Sequence, residues 1–147
     1  MKLLSPPVVV LVAVFAMIIG NRFIPLAEFI PPPYSGIGYL VILCGIGITA
    51  RTVYVMKPGS NDIHYGSLPR KLIISGPFRY SRHPIYLGMV CMCLGIAVVL
   101  GTISPFIVLV VEWFVFNFIL IPPEERILTE TLGERYVQYK SKVRRWL

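Results

Sequence analysis

Long apolar runs constrain this chain more than any other feature of its sequence. They occupy residues 8–19, 36–56, 84–100 and 105–121. A helix needs roughly 20 residues to cross a bilayer, and the last three runs are close to that length. A mean hydropathy of +0.74 is too high for a soluble domain of this size. We therefore predict an all-α, polytopic integral membrane protein, with about four transmembrane helices and a C-terminal amphipathic helix, forming a single domain over residues 1–147.

The first run has two interpretations. It is short and follows Lys2, which is typical of a signal peptide. However, Gly20-Asn21-Arg22 is a poor cleavage site, and the apolar residues 23–26 can complete a span if the Arg22 side chain extends to the interface. We predict a retained span over residues 8–26.

The second run is rich in glycine. Gly36, Gly38, Gly45 and Gly47 have no side chain, so they would let a neighbouring helix or a ligand approach the backbone closely.

The basic residues lie between and after the apolar runs. The net charge of +7 would suggest nucleic acid only if it lay on one soluble face, so we predict contact with lipid headgroups and no nucleic-acid partner. With the N-terminus inside, all 14 lysines and arginines except Arg22 fall on inside segments or at their helix ends. This is the asymmetry that the positive-inside rule expects, and it predicts cytoplasmic termini.

The three cysteines all fall inside apolar runs, which argues against a disulfide framework. No histidine or carboxylate lies near Cys91 and Cys93 in the sequence to complete a metal site with them. We predict packing roles for the cysteines and no bound metal.

Residues 75–88 form the most polar passage into an apolar run, reading Ser-Gly-Pro-Phe-Arg-Tyr-Ser-Arg-His-Pro-Ile-Tyr-Leu-Gly. Pro84 suits the first turn of a helix, where its missing N–H has no partner to lose. The helical conformation is disfavoured for the residue before a proline, so we expect His83 to lie outside the helix. We predict that Arg82, His83 and Tyr86 lie at the mouth of a helix at membrane level.

The C-terminal tail has helical periodicity. We predict that Pro122-Pro123 ends the fourth crossing. Gly133 weakens the helix that follows, at roughly 1 kcal/mol relative to alanine. The apolar positions of this amphipathic helix recur at steps of three and four: Leu128, Leu132, Tyr136, Tyr139, Val143 and Trp146.

Three acidic residues admit both a structural and a functional interpretation. Glu124 and Glu125 could simply complement a helix N-terminus, or they could approach Arg82 and His83, because both segments emerge on the same side. Glu112 lies midway along the fourth run, where a charge costs roughly 2.5–3.5 kcal/mol. It is either structural or part of a substrate path, and both alternatives stay open.

Two motifs in this order resemble one enzyme superfamily. The first is residues 76–88. The second is Glu124-Glu125-Arg126-Ile127-Leu128 followed by Leu132-Gly133-Glu134-Arg135-Tyr136-x-x-Tyr139-x-x-x-Val143-x-Arg145. Together they closely resemble the isoprenylcysteine carboxyl methyltransferase and phospholipid methyltransferase superfamily, over about residues 70–147.

The resemblance implies a membrane-embedded methyltransferase that uses S-adenosylmethionine, with the cofactor bound by the half at 57–147. It implies Glu124 and Glu125 as catalytic residues, with Glu124, Glu125 or His83 as the base if the acceptor is a neutral amine. The implied cofactor-binding positions are Arg70, Lys71, Leu72, Ile73, Phe78, Tyr80, Arg82, His83, Pro84, Ile85, Tyr86 and Glu124.

One departure from the family pattern affects the acceptor. Isoprenylcysteine enzymes carry an arginine about one turn before this glutamate to hold the substrate carboxylate, and here the position is Leu120. We therefore expect a lipophilic or membrane-partitioned small molecule as acceptor, with carboxylate, thiol and amine all open.

Two alternatives compete with methyl transfer. One is a membrane reductase of the sterol-reductase type using NADPH, although such enzymes tend to have asparagine at the place of Ile85 and an acidic residue at that of Met89. The other is a non-catalytic lipid-binding protein. The sequence predicts no oligomeric state.

Overall fold

The computed structural model describes residues 5–56 and 72–147, and the regular structure within these ranges is helical. The helices are α1 (Pro6–Phe23), α2 (Ile37–Val55), α3 (Pro84–Leu100), α4 (Ile103–Phe114), α5 (Ile121–Leu132) and α6 (Glu134–Lys142). Short 3₁₀ turns lie at Tyr34–Gly36 and Gly76–Arg79, and the π-helical segment Val115–Leu120 joins α4 to α5.

The predicted membrane fold is confirmed. Three helical segments are long and apolar enough to cross a membrane, namely Pro6–Phe23, Tyr34–Val55 and Ile103–Leu132. The remaining predicted span, α3, is an apolar helix of 17 residues. The chain is therefore an all-α, multi-pass integral membrane protein.

Helices α2 and α3 form a hairpin and pack against each other at glycine residues. A Cβ atom on Gly45 would lie only 2.6 Å from the carbonyl oxygen of Gly88, and Gly38 stands in the same relation to Gly95 one heptad away. The two backbones therefore touch, which is possible only where no side chain intervenes. This contact fixes the first turns of α3 against the middle of α2.

Helices α4 and α5 form one continuous rod, so the helix itself does not end at Pro122-Pro123. The segment Ile103–Leu132 has 30 residues and is about 45 Å long, which exceeds the roughly 30 Å hydrocarbon core of a bilayer. Prolines at these positions would clash with carbonyl groups one turn earlier in a regular α-helix. The π segment widens the helix just before them, and the Ile121 N–H bonds to the carbonyl of Phe116, five residues back.

The tail forms two helices instead of one. Gly133 has a φ of 57° and separates α5 from α6, which confirms it as the weak point of the tail. The chain turns there, so that Tyr136 and Tyr139 are buried. The change of direction brings α6 back beneath the residues that precede α3.

The main core lies where α3 meets the π segment. Tyr86, Met89, Phe116 and Ile121 form a buried cluster there, and Leu120 packs against it. Deeper along the same helices, Glu112 is only 3% exposed and accepts a hydrogen bond from the Cys93 thiol (3.3 Å). Helix α1 packs against α4 and α3.

Candidate active site

The mouth of α3 has the local geometry that its sequence predicts. The helix begins at Pro84, and His83 before it is non-helical, with φ −127° and ψ 59°. Ser81, which is almost fully buried, accepts a hydrogen bond from the His83 N–H (3.2 Å). The Ser81 hydroxyl in turn donates to the carbonyl of Arg145 (3.0 Å), so the mouth is tied to the C-terminal segment.

Glu124 joins this mouth from the other end of the sequence. The Tyr86 hydroxyl donates a 2.7 Å hydrogen bond to Oε1 of Glu124. The second carboxylate oxygen lies 3.7 Å from Nδ1 of His83. His83 and Tyr86 are buried, whereas 47% of the Glu124 side chain is exposed. The predicted meeting of the two clusters is confirmed, and Glu124 forms its accessible edge.

Glu125 has very different surroundings from its neighbour, because consecutive helical residues point about 100° apart. Its side chain is only 5% exposed and is surrounded by basic side chains. The nitrogens within 3.4 Å of its carboxylate come from Arg82 (3.3 Å), His83 (3.4 Å), Lys140 (3.4 Å) and Arg145 (2.9 Å). A buried carboxylate without such partners would be costly. Glu125 therefore holds the α3 mouth, α6 and the C-terminal segment together.

Arg145 also donates a hydrogen bond to the helix backbone just before the prolines. The carbonyl of Asn117 has no helical donor, because the Ile121 N–H bonds to Phe116 and Pro122 has no N–H. The Arg145 guanidinium donates to this carbonyl (3.3 Å) and to the Asn117 side-chain oxygen (3.1 Å). Trp146 donates to the same side-chain oxygen (3.1 Å).

Arg145 and Asn117 are not among the site residues that the sequence predicts. The available signal was the position of an amide side chain five residues before a proline, inside an apolar run. That signal indicates a backbone needing polar support, but it does not identify the residue that supplies it.

Helix α6 supports the turn that leads into the mouth. The Tyr139 hydroxyl donates a 2.6 Å hydrogen bond to the carbonyl of Phe78. Burial raises the pKa of Tyr139 to about 12, and the nearby Tyr136 contributes in the same direction. Burial also raises the pKa of Tyr136.

Several buried polar atoms of the site lack an aligned hydrogen-bond partner among the described residues. They are Nε and Nη1 of Arg82, Nε2 of His83 and the hydroxyl of Tyr136. Buried polar groups are normally paired. Nη1 of Arg82 and Nε2 of His83 lie at ion-pair distance from Glu125 but are not aligned for a hydrogen bond with it. The cluster thus has more donors than well-placed acceptors, which suits a ligand with anionic or hydroxyl groups.

The remaining predicted positions fall into three groups. Ile73 is buried and Leu72 half-buried just before the Gly76–Arg79 turn, while Pro84 is buried and Ile85 packs on the core. Tyr80 is 72% exposed and lines a separate cavity on α2 instead of joining the cluster. Arg70 and Lys71 lie outside the described residues.

The structure thus brings together Arg82, His83, Tyr86, Glu124 and Glu125. Leu120 packs against the core cluster that contains Tyr86. The wall of the site at that point is hydrocarbon.

The chain is similar in sequence to one group of known proteins. Residues 34–135 match the family described as phospholipid methyltransferase. The chain is 30% identical over 138 residues to protein-S-isoprenylcysteine O-methyltransferase of Schizosaccharomyces pombe, covering 88% of this chain and 56% of the relative. It is 31% identical over 114 residues to protein-S-isoprenylcysteine O-methyltransferase B of Arabidopsis thaliana, covering 74% and 56%. The chain spans about half the length of these curated relatives.

A solved structure has the same fold. It is a eukaryotic intramembrane Ras methyltransferase, an isoprenylcysteine carboxyl methyltransferase, which aligns with a TM-score of 0.64 at 21% identity. The alignment covers 93% of this chain and 50% of the other. At that identity the likeness concerns the helical architecture alone.

Proposed function

This chain belongs to the phospholipid methyltransferase family, and from that membership we propose that it is a membrane enzyme that transfers a methyl group from S-adenosylmethionine to a lipophilic acceptor. The observation that carries the proposal is the 2.7 Å contact between Tyr86 and Glu124 beside His83. It joins the two motifs at one end of the bundle, with Glu124 exposed to a ligand. The same membership favours methyl transfer over the reductase and the non-catalytic alternatives.

The residues present fit the cofactor chemically. The Glu124 carboxylate is accessible, so it suits the ammonium or ribose hydroxyl groups of S-adenosylmethionine. Nε of Arg82, which has no aligned acceptor among the described residues, suits its carboxylate. When bound, the cofactor supplies an electrophilic methyl group on a sulfonium.

The protein contributes position and a dry environment. Tyr86 fixes the orientation of Glu124. The buried carboxylate of Glu125 holds the side chains of Arg82 and His83 in position. We therefore assign Glu124 to ligand contact and Glu125 to positioning. The core cluster below the mouth excludes water on that side. Alignment and exclusion of water are the two means by which such a site lowers the barrier to displacement.

The acceptor belongs to the proposal as well. The curated relatives are named for S-isoprenylcysteine on proteins, so a prenylated cysteine carboxylate is the first acceptor to test. Leu120 gives the site no guanidinium at the family position, and Arg145 is engaged with Glu125 and Asn117. A carboxylate or thiolate acceptor needs no base. A neutral amine needs one, and Glu124 is the accessible carboxylate.

The orientation in the membrane is inferred from charge. We propose that both termini and the site face the cytoplasm, because all lysines and arginines except Arg22 then fall on that side or at its helix ends.

Calorimetry on detergent-purified protein tests the cofactor. We expect S-adenosylhomocysteine to bind and NADPH not to bind. Binding of NADPH alone would replace the proposal with a reductase, and binding of neither would support a non-catalytic lipid-binding protein.

A radiolabelled methyl donor then identifies the acceptor. The panel contains N-acetyl-S-farnesylcysteine, phosphatidylethanolamine and a long-chain thiol, each presented in vesicles. Label transfer to one member and not the others would define the acceptor. If S-adenosylhomocysteine binds but label is transferred to none of the three compounds, the acceptor lies outside these three classes.

A further inference from the structure

A cavity lies away from the candidate active site, between α2 and the Gly76–Arg79 turn, with a volume of about 620 Å³. We call it the α2 groove. It is lined by Cys44, Gly47, Ile48, Arg51, Gly76, Pro77, Arg79 and Tyr80. It shares no residue with the cluster around Glu124, and its volume is within the usual range for a small-molecule site.

The groove exists because α2 carries a glycine that helix packing does not use. A Cβ atom on Gly45 would collide with α3, but a Cβ on Gly47 would meet nothing within 4 Å. Gly47 therefore leaves the helix backbone bare at the floor of the groove. Of the two roles expected for these glycines, Gly45 serves helix contact and Gly47 leaves room for a ligand.

The lining is cationic at one end and apolar at the other. Arg51 near the end of α2 and Arg79 in the facing turn are both exposed. Among the described residues, neither guanidinium forms an ion pair. Cys44 lies seven residues before Arg51, so the apolar floor extends about 10 Å from the charged end toward the middle of the helix. Tyr80, 72% exposed, has the amphipathic ring typical of a membrane interface.

We propose that the α2 groove binds an anionic phospholipid of the surrounding bilayer. The phosphate lies between Arg51 and Arg79, and the upper part of an acyl chain lies over Gly47 and Ile48. Two guanidinium groups, with no carboxylate among the described lining residues, complement a phosphate. The apolar floor complements an acyl chain.

The methyl acceptor is a less suitable occupant. Its reacting group must reach the cluster at Glu124, whereas the groove lies on the outer face of the Gly76–Arg79 turn. The other face of this turn is occupied, because the Phe78 carbonyl accepts the Tyr139 hydroxyl. The lipid site does not depend on whether the protein transfers methyl groups.

Native mass spectrometry of the detergent-purified protein tests the proposal, with dioleoyl phosphatidylglycerol and dioleoyl phosphatidylcholine titrated separately. We expect one phosphatidylglycerol to be retained with an affinity about tenfold or more above that of phosphatidylcholine. Replacing both arginines (Arg51→Gln with Arg79→Gln) should remove this preference. Gly47→Leu, whose Cβ would meet nothing within 4 Å, should fill the floor and lower retention of the lipid itself.

The control replaces two exposed basic residues far from the groove, Arg126→Gln with Arg135→Gln, and removes the same charge. Circular dichroism confirms that each variant is folded. The proposal is overturned if the control loses the preference as fully as the groove variant, or if Gly47→Leu retains lipid like the parent. It is also overturned if N-acetyl-S-farnesylcysteine displaces the lipid one for one, since the groove would then be the acceptor site.

Discussion

Tyr86 and Glu124, 38 residues apart in the chain, share a 2.7 Å hydrogen bond between the first turns of α3 and α5. This bond can form only if both helices present these turns at the same end of the bundle. Tyr86 is buried, whereas about half of the Glu124 side chain is exposed. The hydrogen bond therefore fixes the orientation of a carboxylate that a ligand can reach.

The first prediction concerns that carboxylate. Glu124→Gln should lower the affinity for S-adenosylhomocysteine at least about tenfold, because a charge-assisted contact to the ligand is lost. Tyr86→Phe should have a smaller effect, of about 1 kcal/mol, because it removes the hydrogen bond that orients Glu124 and leaves the carboxylate itself in place. Titration calorimetry measures both affinities, and thermal unfolding checks that the variants remain folded. Unchanged affinity for Glu124→Gln would refute the assignment of this residue to ligand contact.

The second prediction concerns the C-terminal segment. Arg145→Gln should reduce the free energy of unfolding by about 1–3 kcal/mol, because the Asn117 carbonyl and Glu125 both lose a donor in a buried setting. Arg144→Gln is the matched control, since Arg144 is exposed and the bond it makes to Arg82 uses its main-chain carbonyl. Unfolding in mixed detergent micelles measures both. Equal losses in the two variants would contradict the role given to the Arg145 side chain.

The third prediction compares two glycines two positions apart. Gly45→Ala should destabilise the protein by about 1–3 kcal/mol, because the added methyl group would meet the Gly88 backbone at 2.6 Å. Gly47→Ala should be neutral or stabilising by up to about 1 kcal/mol, because its methyl group meets nothing and alanine favours helix. The same unfolding assay measures the difference, and similar values for the two variants would argue against the glycine contact.

The fourth prediction addresses Glu112, for which sequence left two roles open. The residue is 3% exposed, and its hydrogen bond goes to Cys93 on α3, which favours a structural link between α3 and α4. Glu112→Gln should therefore change the free energy of unfolding by no more than about 1 kcal/mol and leave methyl transfer intact, since the amide can keep this contact. A large loss of activity in a stable variant would instead indicate a substrate path.

The fifth prediction concerns alkaline pH. The pKa of Tyr139 is raised from 10.0 to about 12 in the folded protein. The unfolded chain therefore begins to lose this proton near pH 10 while the folded chain keeps it. Stability should be level below that pH and should fall as the pH rises toward 12. In Tyr139→Phe the decline should be shallower, as followed by unfolding midpoints from pH 8 to 12. An equally steep decline in the variant would assign the effect to other groups.

Much of the fold could be predicted because bilayer spans follow from apolar length, and the start of α3 follows from His83-Pro84. The position of Gly133 as a break was equally local. These features depend on short stretches of chain, so the sequence carries them directly. The two motifs also indicated that Glu124 belongs near His83.

The course of the chain through Pro122-Pro123 was not predictable in the same way. Prolines usually end a helix, and only the donor supplied from residue 145, together with a widened turn, lets the helix continue. The different surroundings of Glu124 and Glu125 also depend on this course. No local pattern distinguishes two adjacent glutamates when the difference is set by partners from three elements.

The π segment has a consequence for how chain length is tolerated here. Removing one residue from 115–120 would restore an ordinary helical repeat and rotate everything after it by about 100°. The carboxylate at 124 would then swing away from the imidazole, although no residue of the site had been altered. In this fold, a single-residue deletion in the π segment would change the direction of the Glu124 carboxylate without replacing that residue.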